Sequence, residues 1–184
     1  KTSVLDFFQN INNLDIRLKK HFRGYPEHIA YSSKTFYNSD LQAIRQRTKP
    51  ISEVIKFDIL DYTSNEETGN YNKKEAQLII KYLEDLKKKK VNQTVGIITP
   101  FTDQQKYITT QITKHPDRDY FFENLKLKIM TFDTCQGEER QIVFYSMVAC
   151  KKRNKLNMIF PIDITNLDLE EKGDKKAQRL NVGF

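Results

Sequence analysis

Seven consecutive residues, Asp133-Thr134-Cys135-Gln136-Gly137-Glu138-Glu139, gather three carboxylates, a hydroxyl, a carboxamide and a glycine. That is far more hydrogen-bonding capacity than a reversal of chain direction requires, and loops of this kind usually hold a ligand. A second candidate is Arg23, inside His21-Phe22-Arg23-Gly24-Tyr25-Pro26. Gly24 and Pro26 both break a helix, and an Arg held in a rigid turn can be aimed, whereas one on an open helix face mostly waves in water. Arg23 therefore ranks above Arg17 or Arg45. A third candidate is Thr99-Pro100, where an apolar run stops.

The elements that would position these residues follow from hydrophobic period. Val4, Leu5, Phe8, Ile11, Leu14 and Leu18 recur at helical spacing over residues 2–20, and a short helix is expected after Pro26. Arg23 then falls between two helices. Residues 38–50 read as a surface connection, and Val54, Ile55, Phe57, Ile59 and Leu60 as a strand. Residues 73–90 carry Ala76, Ile79, Ile80, Leu83 and Leu86 on one helical face and end in Lys87-Lys88-Lys89-Lys90, which suits the negative end of the helix dipole and reads first as a solvated helix end. Thr94–Ile98 is a continuous apolar strand, Phe101–Ile112 an amphipathic helix, and Leu125, Leu127, Ile129 and Ile142–Tyr145 are strands flanking the polar loop. Strand alternating with helix implies an α/β fold with a mostly parallel sheet covered on both faces. Ligands of such sheets gather at the carboxyl ends of the strands, where Thr99-Pro100 and Asp133-Thr134 both fall.

A length of 184 residues suits one domain spanning 1–184, with 150–178 as a charged, partly mobile excursion around the apolar Met158-Ile159-Phe160. Lys and Arg number 31 against 24 Asp and Glu, a formal charge of +7, which favours a polyanionic partner but fits a basic solvated surface equally well. No run is long enough for a membrane span, no signal peptide is visible, and two cysteines, Cys135 and Cys150, suit reduced thiols, so an intracellular, cytoplasmic protein without a membrane partner is expected. His21, His28 and His115 lack zinc-ligand spacing, so no metal site is expected. There is no nucleophile elbow, and Glu170-Glu171-Lys172 lies in charged loop where a metal-dependent nuclease site is poorly held.

Three separated segments, in one order, resemble the second RecA-like domain of superfamily I helicases, on the branch of the nonsense-mediated-decay helicases. His21-Phe22-Arg23-Gly24-Tyr25-Pro26, with Phe36-Tyr37 and Leu41, resembles the segment whose Arg reaches the nucleotide's terminal phosphate. Val95–Phe101 with Gln104-Gln105 resembles the segment whose Thr and following residues touch the single strand. Phe132–Glu139 resembles the motif whose Gly and last Glu lie by the nucleotide while its hydroxyl residue faces nucleic-acid phosphates. Arg179-Leu180-Asn181-Val182 opens the last helicase motif, inside which the sequence stops at Phe184. Glu138 stands where that family often has a basic residue, Cys135 where it has an aromatic, and no Gly-rich GKT or GKS loop occurs.

The resemblance implies a RecA-like three-layer sandwich acting as the second lobe of an ATP-dependent helicase or translocase, a hydrolase. ATP and Mg2+ would be held mainly by a first RecA-like lobe of the same polypeptide, with Arg23, Gly137, Glu139 and Arg179 at the nucleotide and Arg23 catalytic. Single-stranded DNA or RNA would meet Thr99, Pro100, Phe101, Gln104, Asp133, Thr134 and Gln136. The 184 residues by themselves are expected to be inactive. A non-catalytic nucleic-acid-binding module is the rival reading, since it needs only the charge.

Overall fold

The computed structural model describes residues 18–60, 69–149 and 155–160, together with Val4, Phe8, Ile11 and Lys176. They fall in two compact units, Lys1–Val54 and Ile55–Phe184. In the first, Lys20–His21 (β1) pairs in parallel with Gln42–Ala43 (β2), and Pro26–Phe36 (α1) connects them. Pro26 occupies the first helical turn, where its missing N–H costs nothing, and Tyr25 before it is held extended at φ −73° and ψ 162°. The Ser33 hydroxyl accepts from the Leu41 amide at 3.2 Å and reaches the Leu41 carbonyl at 3.4 Å, which fixes the return of the chain to β2. Ile51–Val54 (α2) ends the unit.

Two expectations change here. The helix over residues 2–20 lies mostly outside the described residues; of it, Val4, Phe8 and Ile11 are helical, while Leu18 and Lys19 are not. Arg23 therefore follows a strand, because the carbonyls of Lys19 and His21 accept from Gln42 and Ile44 at 2.7 and 2.9 Å instead of closing a helical turn. The strand expected at 54–60 is absent: Val54 ends α2, and Ile55–Leu60 pair with no described strand. Phe57 and Ile59 are 86% and 93% exposed, so their alternation has no sheet to serve.

The second unit runs Lys73–Lys88 (α3), Val95–Thr99 (β3), Thr102–Thr113 (α4), a π-helical turn at Tyr120–Asn124, Lys128–Thr131 (β4), Ile142–Tyr145 (β5) and a 3-10 turn at Lys155–Met158. The sheet order is β4-β3-β5 and every pairing is parallel, with Thr99 opposite Thr131 and Val95 opposite Ile142. All five residues of β3 are buried, as a central parallel strand requires. Val95 and Ile97 face α3 and α4 in a core of Ala76, Leu83, Ile108, Ile112 and Phe121. Ile98 faces the other way, into Met130, Phe132, Cys135 and Phe160.

The molecule is thus α/β with parallel strands, the RecA-like arrangement, but among the described residues the second face is covered by irregular chain. The connection from β4 to β5 crosses that face without a helix. Gly96 marks the crossing, since a Cβ there would meet the Arg140 Cγ at 3.0 Å and the Met130 Cε at 3.3 Å. Phe160 closes the same face, its ring edge-on to Phe132 at 5.0 Å between centroids. Of the 150–178 excursion, Phe160 is buried there with Leu156 and Ile159 packed beside it, shielding Ile98 and Met130 from water, while Met158 is exposed. The rest of the excursion, Glu170 and Glu171 included, lies outside the described residues.

β4 begins three residues later than expected. Leu125 bonds the Tyr120 carbonyl at 3.2 Å, Leu127 bonds that of Phe121 at 3.0 Å, and Lys126 between them takes φ 47°. Their buried-exposed-buried alternation comes from a helix end and not from a pleat.

Candidate functional site

Arg23 lies in an exposed bend between β1 and α1. Its backbone is tied on both sides: the Gly24 amide donates to His21 Nε2 at 2.9 Å, and Arg45 Nη1 donates to the Arg23 carbonyl at 3.3 Å. Burial, followed by the charges of Arg23 and His28, pushes the His21 imidazole below its ordinary pKa.

The second candidate lies at the carboxyl edge of the sheet. Because Thr99 and Thr131 are in register, the loops after β3 and β4 leave it side by side. After β4 the Thr134 hydroxyl accepts from the Thr131 amide at 2.9 Å, while the Thr134 and Cys135 amides both return to the Thr131 carbonyl at 3.0 Å. This local cap holds the turn in shape, with Asp133, Thr134, Gln136 and Gly137 all exposed. Gly137 takes φ 81°, and a Cβ there would meet no atom within 4 Å, so its backbone stands open to an approaching group. Glu139 is exposed beside it. Glu138 is paired with Lys128 and with Arg140 at 3.0 Å, and the Lys128 hydrogen bond above all holds its carboxyl below the usual range. The Cys135 thiol is buried and pushed up by that burial.

The loop after β3 differs from the expectation. Thr99, Pro100, Phe101 and Gln104 are all buried, with Phe101 only 6% exposed and Gln104 0%. The Thr99 hydroxyl accepts from the Phe101 amide at 3.4 Å. Gln104 accepts from the Asn72 amide at 2.6 Å and donates to the Asn72 carbonyl and to Ser146 Oγ at 3.1 and 2.8 Å. Phe101, at the N-terminal end of α4, is buried and so offers little aromatic face to a base.

Sequence reading missed the partners of Gln104. Ser146 Oγ donates to Glu75 Oε2 at 2.7 Å, the Val148 amide donates to the same oxygen at 3.0 Å, and Asn72 Oδ1 caps the Glu75 amide at 3.1 Å. The network ties the starts of α3 and α4 to the end of β5. Asn72 with Glu75 three residues on, ahead of an apolar helical run, was its one visible sign, a helix-cap pair. Arg179 lies outside the described residues. Among the described residues no helix is long and apolar enough to cross a membrane, and no group of three or more His, Cys, Asp or Glu could hold a metal ion.

A family model described as AAA domain matches residues 1–184. Helicase sen1 of Schizosaccharomyces pombe is 24% identical over 166 residues, a match that covers 82% of this chain and 10% of that protein. The chain thus spans about a tenth of the length of this relative.

Proposed function

The chain belongs to the AAA-domain family, on the superfamily I helicase branch, and from that premise we propose that it is the second motor lobe of an ATP-dependent helicase or translocase. One observation carries the reading. β4 and β5 lie on opposite sides of β3, so the chain changes sides where the exposed Asp133–Glu139 loop leaves the carboxyl edge, the position where open parallel sheets hold ligands.

The residues suit a nucleotide shared with a first lobe. Arg23 is exposed in a tied bend, and Gly137 opens its backbone. ATP supplies the phosphoryl group whose release drives the cycle. Arg23 neutralises charge on that group, an effect worth roughly a thousand- to a hundred-thousand-fold in turnover. Gly137 and Glu139 would lie beside the nucleotide, and Arg179, outside the described residues, is assigned there by its motif alone. The phosphate loop and the Mg2+ carboxylate belong to the first lobe, since the 184 residues contain no GKT or GKS loop. Single-stranded DNA or RNA passes beside Asp133, its phosphates meeting Thr134 and Gln136 with little base readout. Thr99, Pro100, Phe101 and Gln104 shape the neighbouring loop from within.

In the complete protein, Arg23→Ala is expected to depress strand-stimulated turnover by at least about a thousandfold while ATP affinity changes little, as for an interaction strongest in the transition state. Unchanged turnover would return Arg23 to the ordinary surface. The +7 charge also suits a bare nucleic-acid-binding module, whose strand affinity would ignore nucleotide even with the first lobe present. Strand affinity measured with and without a non-hydrolysable nucleotide separates the two.

A further inference from the structure

The bend that carries Arg23 is held by side chains that no part of the proposed chemistry uses. β1 pairs with β2 as far as His21 opposite Ala43, and the Ile44 amide then bonds the His21 carbonyl at 2.9 Å. That register brings Arg45 beside the bend, where its guanidinium reaches the Arg23 carbonyl and lies 4.8 Å over the centre of the Tyr25 ring. On the other side the His21 ring folds back to accept the Gly24 amide at 2.9 Å. Gly24 has little room to change: a Cβ would meet His21 Nε2 at 3.2 Å and His28 Nδ1 at 3.3 Å.

We infer that His21 and Arg45 are positioning residues for Arg23, the imidazole acting as a neutral acceptor for the Gly24 amide and the guanidinium bracing the Arg23 carbonyl against Tyr25. The inference rests on the reading of Arg23 as the cleft arginine. It explains why an exposed arginine can present a fixed charge: residues 23, 24 and 25 are each held, and Pro26 locks the exit into α1.

The acceptor role fixes the protonation state of His21. Only the tautomer with its proton on Nδ1 leaves Nε2 free to accept, and a protonated ring cannot accept at all. The charged groups on the surrounding elements favour the neutral ring. Burial, then Arg23 and His28, lower its pKa, and the Glu27 carboxylate in the first turn of α1 is engaged by Arg47 at 2.6 Å. Because the folded pKa is below the ordinary value, the bond is fully present above the ordinary imidazole pKa and is lost as pH falls through the lowered one.

The test compares Arg23→Ala, His21→Phe, His21→Gln and Arg45→Met in the complete protein. It reads strand-stimulated kcat, KM for ATP, the pH profile of kcat, and folding by circular dichroism. His21→Phe removes the acceptor and is expected to lower kcat about tenfold with KM nearly unchanged, the effect of one net hydrogen bond on a barrier. His21→Gln can place an oxygen where Nε2 stood, so it should recover most of the turnover and also flatten the acid limb of the profile, since it cannot titrate. Arg45→Met should lower kcat severalfold. If Arg23→Ala lowers kcat but His21→Phe leaves both kcat and the acid limb at wild type, the positioning role is overturned and the proposed function stands. If Arg23→Ala leaves turnover unchanged, both fall together. Should His21→Phe fail to fold, His21→Gln decides alone: an acid limb that persists in that variant overturns the inference.

Discussion

The loops after β3 and β4 leave neighbouring strands at paired threonines, Thr99 and Thr131. After β3, Thr102 and Asp103 stay exposed while Gln104, in the first turn of α4, turns inward. Gln104 lies at 0% exposure and bonds Asn72 twice and Ser146 once. After β4 the polar groups turn outward, with Asp133, Thr134, Gln136 and Gly137 all exposed over a cap made only of Thr131, Thr134 and Cys135. The difference lies in what surrounds each loop. Beside the first, the Asn72 backbone, the Ser146 hydroxyl and the Glu75 carboxylate need partners away from water, and an unmade bond there is costly. The second loop caps itself through the Thr134 hydroxyl and the Thr131 backbone, with Asp133 and Gln136 exposed. A polar residue at a ligand-binding edge can thus be part of the wall instead of the surface.

The largest test of this contrast is Gln104→Leu. Stranding the Asn72 amide, while the Asn72 carbonyl keeps the Ala76 amide and Ser146 keeps Glu75, is expected to cost about 2 kcal/mol of folding stability, read as a lowered urea midpoint at unchanged slope. Weaker strand binding with no loss of stability would move Gln104 back to the surface and erase the contrast.

A smaller effect is expected at Thr134→Ala, which should weaken single-strand affinity of the complete protein by roughly 1 kcal/mol, the scale of one hydrogen bond. Titrations at two salt concentrations check it, with Lys87–Lys90 neutralised as the control. Lys87 is already paired with Asp117 and Lys88 with Asp85, so the lysine variant should change affinity less than Thr134→Ala; the reverse order would replace the loop by diffuse charge.

Glu138 gives the smallest effect. Its carboxyl is held below the ordinary range, so the stabilisation it gains from Lys128 and Arg140 is complete above the ordinary carboxylate pKa and disappears as pH falls through the lowered value. Wild type should therefore lose slightly more thermal stability than Glu138→Gln between neutral and acid pH. Equal losses would show that Lys128 and Arg140 leave that carboxyl unaided.

Much of the core was legible because period and burial agree. Ala76, Ile79 and Leu83 repeat at helical spacing and are buried, and the unbroken apolar run of β3 is buried on both sides. Failures arose where one local pattern has two physical causes. Phe57 and Ile59 alternate as a strand does but find no sheet, and Leu125 and Leu127 alternate because a helix is ending. At the candidate site the sequence put forward Arg23 and the Asp133–Glu139 loop from their residue types, and Arg23, Asp133, Thr134, Gln136, Gly137 and Glu139 are exposed in the structure. It could not reveal the inward turn of Gln104, which depends on Asn72 and Ser146, thirty and more residues away on either side.

The crossing from β4 to β5 carries one more consequence. Its ends are anchored on opposite sides of β3, at Thr131 paired with Thr99 and at Ile142 paired with Val95. From the paired residues these anchors are roughly 16 Å apart, about 13 Å along the strands and about 10 Å across two of them. The chain from Thr131 to Ile142 could extend to about 36 Å. More than half of its contour length is therefore slack, wound into the turns at 132–134 and 136–137. A ligand drawing Gly137 outward would pull on the bond from the Glu138 amide to the Cys135 carbonyl and on the Glu138 pairs with Lys128 and Arg140 before it reached either anchor. A helix in the same position would pass such a pull to the far edge as a rod; this strap absorbs it.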